Sequence, residues 1–165
     1  MNTITNCKVI FPDGIKKRNV RLNGDVIAEI TEEDLPSTFD GQGRLLSAGF
    51  IDIHTHGGYG ADFMDGLSAF DGVLKFHLEH GTTSVVATSV TSPVSSLIRF
   101  LENCRAYQKG EQAYARLLGA HLEGPYLSLK NKGAQKEDFI LSPEKDDYSF
   151  MLDYADIVRS VTLSP

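Results

Sequence analysis

"GFIDIHTHGGYGADF", residues 49–63, sets two histidines one residue apart at the end of an apolar run and then breaks into glycines. Phe50, Ile51 and Ile53 read as a buried β-strand. Side chains at i and i+2 of a strand share a face, so Asp52, His54 and His56 line one side. Gly57 and Gly58 stop the strand at once, which leaves the histidines at its carboxyl end. Parallel α/β folds gather their functional groups at that end.

Outward from this stretch, strands alternate with helices. Ser68 is expected to cap a first helix, with Asp71 three residues on as the capping-box acid. Ala69, Phe70, Val73, Leu74, His77 and Leu78 fall on one helical face, and Gly81 is a left-handed stop. "TTSVVATSV" (82–90) is a continuous β-branched run, as a strand buried on both faces should be. Ser92-Pro93 opens a second helix through Leu97, Ile98, Leu101 and Cys104. "RLLGAHLEG" (116–124) reads as a third strand, Ser142-Pro143-Glu144 as the start of a third helix, and "DIVRSVTLSP" (156–165) as a fourth strand.

Residues 1–47 have a different grammar. "NCKVIF" closes on the turn Pro12-Asp13-Gly14. Asn23-Gly24 lies between Val20/Leu22 and Val26/Ile27/Ile30 and predicts a hairpin turn with positive φ at both positions. "FDGQGRLL" adds a Gly-rich turn and a short strand. The fold class is therefore α/β, a β-rich start followed by β-α-β-α-β-α-β with parallel strands. Four such strands make either a small open sheet or half of an eight-stranded barrel. Residues 48–165 fall short of the roughly 250 that a closed barrel takes.

The chain has 165 residues, 41% hydrophobic and 23% charged, with a formal net charge of -6. That charge argues against non-specific binding to nucleic acid or an anionic membrane. No apolar stretch approaches the roughly 18 residues of a spanning helix, and the start shows no secretory pattern. Cys7 and Cys104 are far apart and read as small buried residues. A reducing, cytoplasmic setting is the expectation.

Two imidazoles whose Cα atoms lie about 7 Å apart on a strand can converge on one metal ion. The alternative is two polar residues leaving the core for a wet loop. His121 and Glu123 repeat the i, i+2 pattern at the end of the third strand, before Gly124-Pro125. Glu123 could supply the oxygen ligand that two histidines lack, or be a turn-capping glutamate. His121 could be an interior histidine or a partner behind the ligands. His77 and His80 read as helix-end packing rather than as a chelating pair. The loop "NKGAQKED" (131–138) is either a ligand-facing or an ordinary solvated loop. There is no phosphate loop, nucleophile elbow or Cys-x-x-Cys.

Taken together, "GFIDIHTHGGYGADFMDG", "GTTSVVAT" and "GAHLEGPYLSLKNKGAQ" resemble the N-acetylglucosamine-6-phosphate deacetylases of the amidohydrolase superfamily. "GFID-x-H-x-H" is shared across that superfamily, whereas "HLEGPY" with "KGAQ" is far more specific. The resemblance implies the first half of a (β/α)8 TIM-type barrel (48–165), preceded by part of a small β-sandwich domain (1–47). It matches His54, His56 and Glu123 to metal ligands, and Ala134 and Gln135 to the loop that contacts the sugar. Many members carry histidine where Gln135 stands, and Ala48 replaces a frequent proline.

The resemblance also implies a divalent metal ion, zinc or iron, one or two per complete site. An amino sugar phosphate is the substrate, hydrolysed at its N-acetyl group. The complete enzyme is expected to be a homodimer. The proton-shuttling aspartate, two further histidine ligands and the phosphate contacts are expected beyond Pro165, so no catalytic residue is assigned here. The chain alone is accordingly expected to be an inactive part of the enzyme. The alternatives are another amidohydrolase acting on a cyclic amide, or a truncated, non-catalytic fragment.

Overall fold

A computed structural model, which describes residues 2–164, separates the chain into two units, Met1–Ala48 and Gly49–Pro165. In the first, β1 (Asn2–Phe11), β2 (Gly14–Asn23) and β3 (Val26–Thr31) form an antiparallel meander. Short β4 (Phe39–Asp40) and β5 (Leu45–Leu46) pair with β1 in parallel. Cys7, Val9 and Val20 are its buried core. The β2–β3 hairpin turns one residue later than expected. Asn23 pairs with Val26, the loop residues are Gly24 and Asp25, and of these only Gly24 has positive φ, at 61°. Glycine at the first loop position needs one left-handed residue, not two, which removes the demand on Asn23.

The second unit begins with β6 (Phe50–Thr55), followed by the small hairpin β7 (Gly57–Gly58) and β8 (Ala61–Asp62). Next come α1 (Phe70–Glu79), β9 (Thr82–Thr88), α2 (Val94–Lys109), β10 (Arg116–Glu123), α3 (Ser149–Leu152) and β11 (Val158–Thr162). The four strands form one parallel sheet in the order β11-β10-β9-β6. Phe70, Val73 and Leu74 of α1 and Leu97, Phe100, Leu101 and Cys104 of α2 are fully or almost fully buried, in one core with Val85, Ala87, Leu117 and Leu122. Both cysteines are free and buried. Among the described residues, no helix is long and apolar enough to cross a membrane.

Several local expectations are corrected. The reading of β6 as a buried strand fails: Phe50, Ile51 and Ile53 are 64%, 63% and 68% exposed, because β6 is an edge strand. Ser68 does not cap α1. Two 3₁₀ turns (Phe63–Asp65 and Leu67–Ala69) run into that helix, so the chain is already helical at Ser68. The capping box forms earlier, between Asp62 and Asp65, and Asp71 instead accepts a hydrogen bond from the Tyr107 hydroxyl at 2.7 Å. Pro93 rather than Ser92 occupies the start of α2. Ser142-Pro143-Glu144 makes only a turn, closed by Lys145 and Asp146 N–H on the Ser142 carbonyl. The charged run that follows lacks an apolar stripe, and the helix shrinks to the single turn of α3.

An irregularity in β10 between Leu117 and Gly119 is held by side chains. Gln108 donates to the Leu117 and Leu118 carbonyls, and Arg159 donates to Leu118. Gly119 has φ 147°, and a Cβ there would collide with the Ile157 carbonyl and the Arg159 side chain. Gly119→Ala is therefore expected to destabilise the chain by about 1–3 kcal/mol, the range for a strained backbone residue, read from the urea midpoint.

Candidate metal centre

The carboxyl ends of β6 and β10 bring three of the sequence candidates together. Ligand atoms of His54, His56 and Glu123 all lie within 4.8 Å of one another. Glu123 Oε2 is 3.1 Å from His56 Nε2 and 3.5 Å from His54 Nε2. The two imidazoles stand edge to face, with centroids 5.2 Å apart and planes at 88°. Donor atoms about 2.1 Å from one tetrahedral ion lie about 3.4 Å apart, so these separations fit a shared metal ion.

The proton positions sharpen the fit. His56 Nδ1 is 3.2 Å from the Thr88 carbonyl oxygen, which can only accept, so Nδ1 carries hydrogen. In the neutral ring Nε2 is then a bare lone pair aimed at a carboxylate oxygen. Two acceptors facing each other at 3.1 Å require a positive charge between them: a proton on the ring, or a metal ion. Imidazole held through its other nitrogen by a carbonyl is the usual arrangement of a metal-ligating histidine.

The bulge that delivers these side chains has its own logic. Asp52 pairs with Val85 and Thr55 with Ala87, so β6 carries one extra residue against β9. The displaced N–H of His54 donates to Asp52 Oδ1 at 3.0 Å, and that of Thr55 to Thr88 Oγ1 at 3.1 Å. Asp52 thus serves the backbone and stands outside the three-residue cluster.

A cavity of ≈ 720 Å³ opens over the cluster, lined also by Thr91, Ala134, Gln135, Lys136 and Phe139. Thr91 N–H donates to Gln135 Oε1 at 2.8 Å. A backbone N–H cannot accept, so the amide orientation is fixed and the Gln135 NH₂ group is left as the donor. Lys132 Nζ donates to the Gln135 carbonyl at 3.2 Å and braces the same loop. Thr88, Thr91 and Lys132 have no sequence signature for these tasks; their roles exist only once strand ends and loop meet.

His121 is buried, with its ring 4.9 Å from that of His54. Burial pushes it below the usual histidine range; positive charge on His54 acts the same way and Glu123 opposes it. His77 and His80 lie away from the cluster. His77 Nε2 contacts the Gly57 carbonyl at 3.2 Å and His80 Nδ1 the Phe76 carbonyl at 2.8 Å, both packing roles.

Fold and cluster together define an α/β protein with a candidate metal centre at the carboxyl ends of a parallel sheet. No protein-family model matches the chain. It is 31% identical to the N-acetylglucosamine-6-phosphate deacetylase of Haemophilus influenzae, over 98% of this chain and 44% of that protein. With the human protein of that name the identity is 38%, over 98% of this chain and 42% of the relative. The crystal structure of N-acetylglucosamine-6-phosphate deacetylase from Pasteurella multocida matches with a TM-score of 0.86 at 31% identity, over 98% of this chain and 44% of that one. The chain belongs to the N-acetylglucosamine-6-phosphate deacetylase family, and it spans less than half the length of each of these relatives.

Because His54, His56 and Glu123 are only partly buried, their replacement should spare the fold. His56→Ala and Glu123→Gln are each expected to weaken Zn²⁺ binding at least tenfold in calorimetric titration, with the melting temperature of the metal-free chain unchanged.

Proposed function

We propose that this chain carries one arm of the active site of a metal-dependent deacetylase that hydrolyses N-acetylglucosamine-6-phosphate to glucosamine-6-phosphate and acetate. The observation that carries the reading is the convergence of His54, His56 and Glu123 beneath a cavity walled by the loop of Ala134 and Gln135. A related structure, the D267A mutant of the Mycobacterium smegmatis deacetylase, is described as a complex with N-acetyl-D-glucosamine-6-phosphate; it has a TM-score of 0.76 and 26% identity. In this reading residues 48–165 are half of a (β/α)8 barrel and residues 1–47 part of a β-sandwich domain. The whole protein is a cytoplasmic homodimer that uses zinc or iron.

His54, His56 and Glu123 would hold the ion. A bound divalent ion would lower the pKa of water to about 7 and polarise the acetamide carbonyl. The Gln135 NH₂ would donate to an oxygen of the sugar, held in that orientation by Thr91. Among the described residues lining the cavity, Glu123 is the one carboxylate. As a metal ligand it is not free to pass a proton to the leaving amine. In this reading the acid–base group for turnover comes from the part of the family protein that this chain does not span.

The test is acetate release from N-acetylglucosamine-6-phosphate. The native protein from the source organism is expected to be active, to lose activity on chelation and to recover it with zinc. Glu123→Gln in that protein is expected to lower kcat/KM by about 10²–10³, the scale of losing a group that stabilises transition-state charge. The 165-residue chain alone is expected to release none. Turnover by this chain would overturn its assignment as one arm of the site, and an inactive, metal-replete native protein would overturn the deacetylase reading.

A further inference from the structure

A hydrogen-bond chain crosses the strand ends behind the three candidate ligands. Thr55 N–H lies 3.1 Å from Thr88 Oγ1, Thr88 Oγ1 lies 3.3 Å from His121 Nδ1, and His121 Nε2 lies 2.8 Å from Thr162 Oγ1. β6, β9, β10 and β11 contribute one residue each. Thr88 is fully buried and His121 nearly so, while Thr162 is exposed.

The direction of the protons follows from the backbone end. Thr55 N–H can only donate, so Thr88 Oγ1 accepts there. The Thr88 hydroxyl proton then has a single acceptor among the described residues, His121 Nδ1. A buried hydroxyl proton without a partner is disfavoured, so Nδ1 takes it. His121 must then carry its own hydrogen on Nε2 and donate it to Thr162. Both ring nitrogens are spent, and neither remains for a metal ion. What His121 offers instead is its ring, inclined at 64° to that of His54 with centroids 4.9 Å apart. The carbonyl of the same Thr88 holds His56 Nδ1.

Resting on the metal-centre reading above, we propose that His121 is a positioning residue: its Nε2–H tautomer, set by Thr88 and Thr162, fixes the ring against which His54 is oriented as a metal ligand. Thr88 then serves both ligand imidazoles, His56 through its carbonyl and His54 through its hydroxyl and the His121 ring. Its hydroxyl also takes the N–H that the β6 bulge displaces, so the bulge and the ligand geometry are fixed by one side chain.

Long-range ¹H–¹⁵N spectra of the metal-free 165-residue chain report imidazole tautomers directly, and Co²⁺ titration reports the ligand geometry. The wild-type chain is expected to show His121 as a single Nε2–H tautomer. Thr88→Val, which keeps the shape and removes the hydroxyl, is expected to mix the tautomers and weaken Co²⁺ binding about tenfold, and Thr88→Ser to restore both. Thr162→Val, at an exposed position, removes the other partner without touching the core. It is expected to loosen the tautomer preference and weaken Co²⁺ binding, and it carries the test if Thr88→Val does not fold. An Nδ1–H tautomer in the wild-type chain overturns the proposal. So does Co²⁺ affinity that stays at the wild-type value in Thr162→Val and in any folded Thr88→Val. A wild-type chain with the Nε2–H tautomer that takes up no Co²⁺ overturns the metal-centre reading and the positioning role with it, and leaves the tautomer assignment standing.

Discussion

The constraint on which the site depends is the extra residue in β6 between Asp52 and Thr55. Parallel pairing with β9 satisfies backbone groups only while the two strands advance in step. The extra residue takes the N–H groups of His54 and Thr55 out of the ladder. A part-buried N–H such as that of Thr55 costs up to about 1–3 kcal/mol if unpaired and an exposed one such as that of His54 less, and the sequence supplies a substitute for each. Asp52 supplies one and the Thr88 hydroxyl the other. A strand end built this way holds its side chains in one orientation, although β6 lies at the sheet edge.

The same economy explains the electrostatics of the cluster. A carboxylate and two imidazoles set within 5 Å would be poor packing if all three were neutral or anionic acceptors. The Thr88 carbonyl commits His56 Nδ1 as a donor and so commits Nε2 as a lone pair toward Glu123. The three side chains are therefore arranged to hold a positive charge among them, a proton or a metal ion. Solvent reaches all three side chains, which keeps the cost of that arrangement moderate, and the apolar core of α1, α2 and the inner strands beneath keeps it rigid.

The course of the chain was legible where periodicity speaks. The β-branched run of β9, the apolar stripes of α1 and α2, and the i, i+2 pair His54/His56 were visible as patterns, whereas the bulge that takes Asp52 out of that set was not. Local punctuation was less legible because several residues compete for each role. Asn23-Gly24 and Gly24-Asp25 are both plausible loop pairs, and pairing of Asn23 with Val26 decided between them. Ser68 and Asp62 are both capping residues, and the 3₁₀ turns before α1 favoured Asp62. Exposure of Phe50, Ile51 and Ile53 could not be read from composition, since an apolar strand looks alike at the centre or edge of a sheet. Thr88 is one threonine in a run chosen by β-propensity, and its second role appears only when His121 arrives from β10.

In the loop after β10 the residue type at position 135 decides what the cavity wall offers. Gln135 uses its amide oxygen on Thr91 N–H, so what remains is a pair of N–H donors at every pH of interest. A histidine in the same place could hold Thr91 through only one nitrogen. In the neutral ring the nitrogen facing that N–H is the bare one and the other carries the hydrogen and donates; on protonation both nitrogens carry hydrogen and the hold on Thr91 is lost. The glutamine therefore keeps its bond from Thr91 N–H where an imidazole would lose it on protonation near neutrality. At position 135 the cavity wall therefore presents N–H donors that call for an acceptor atom on whatever it holds.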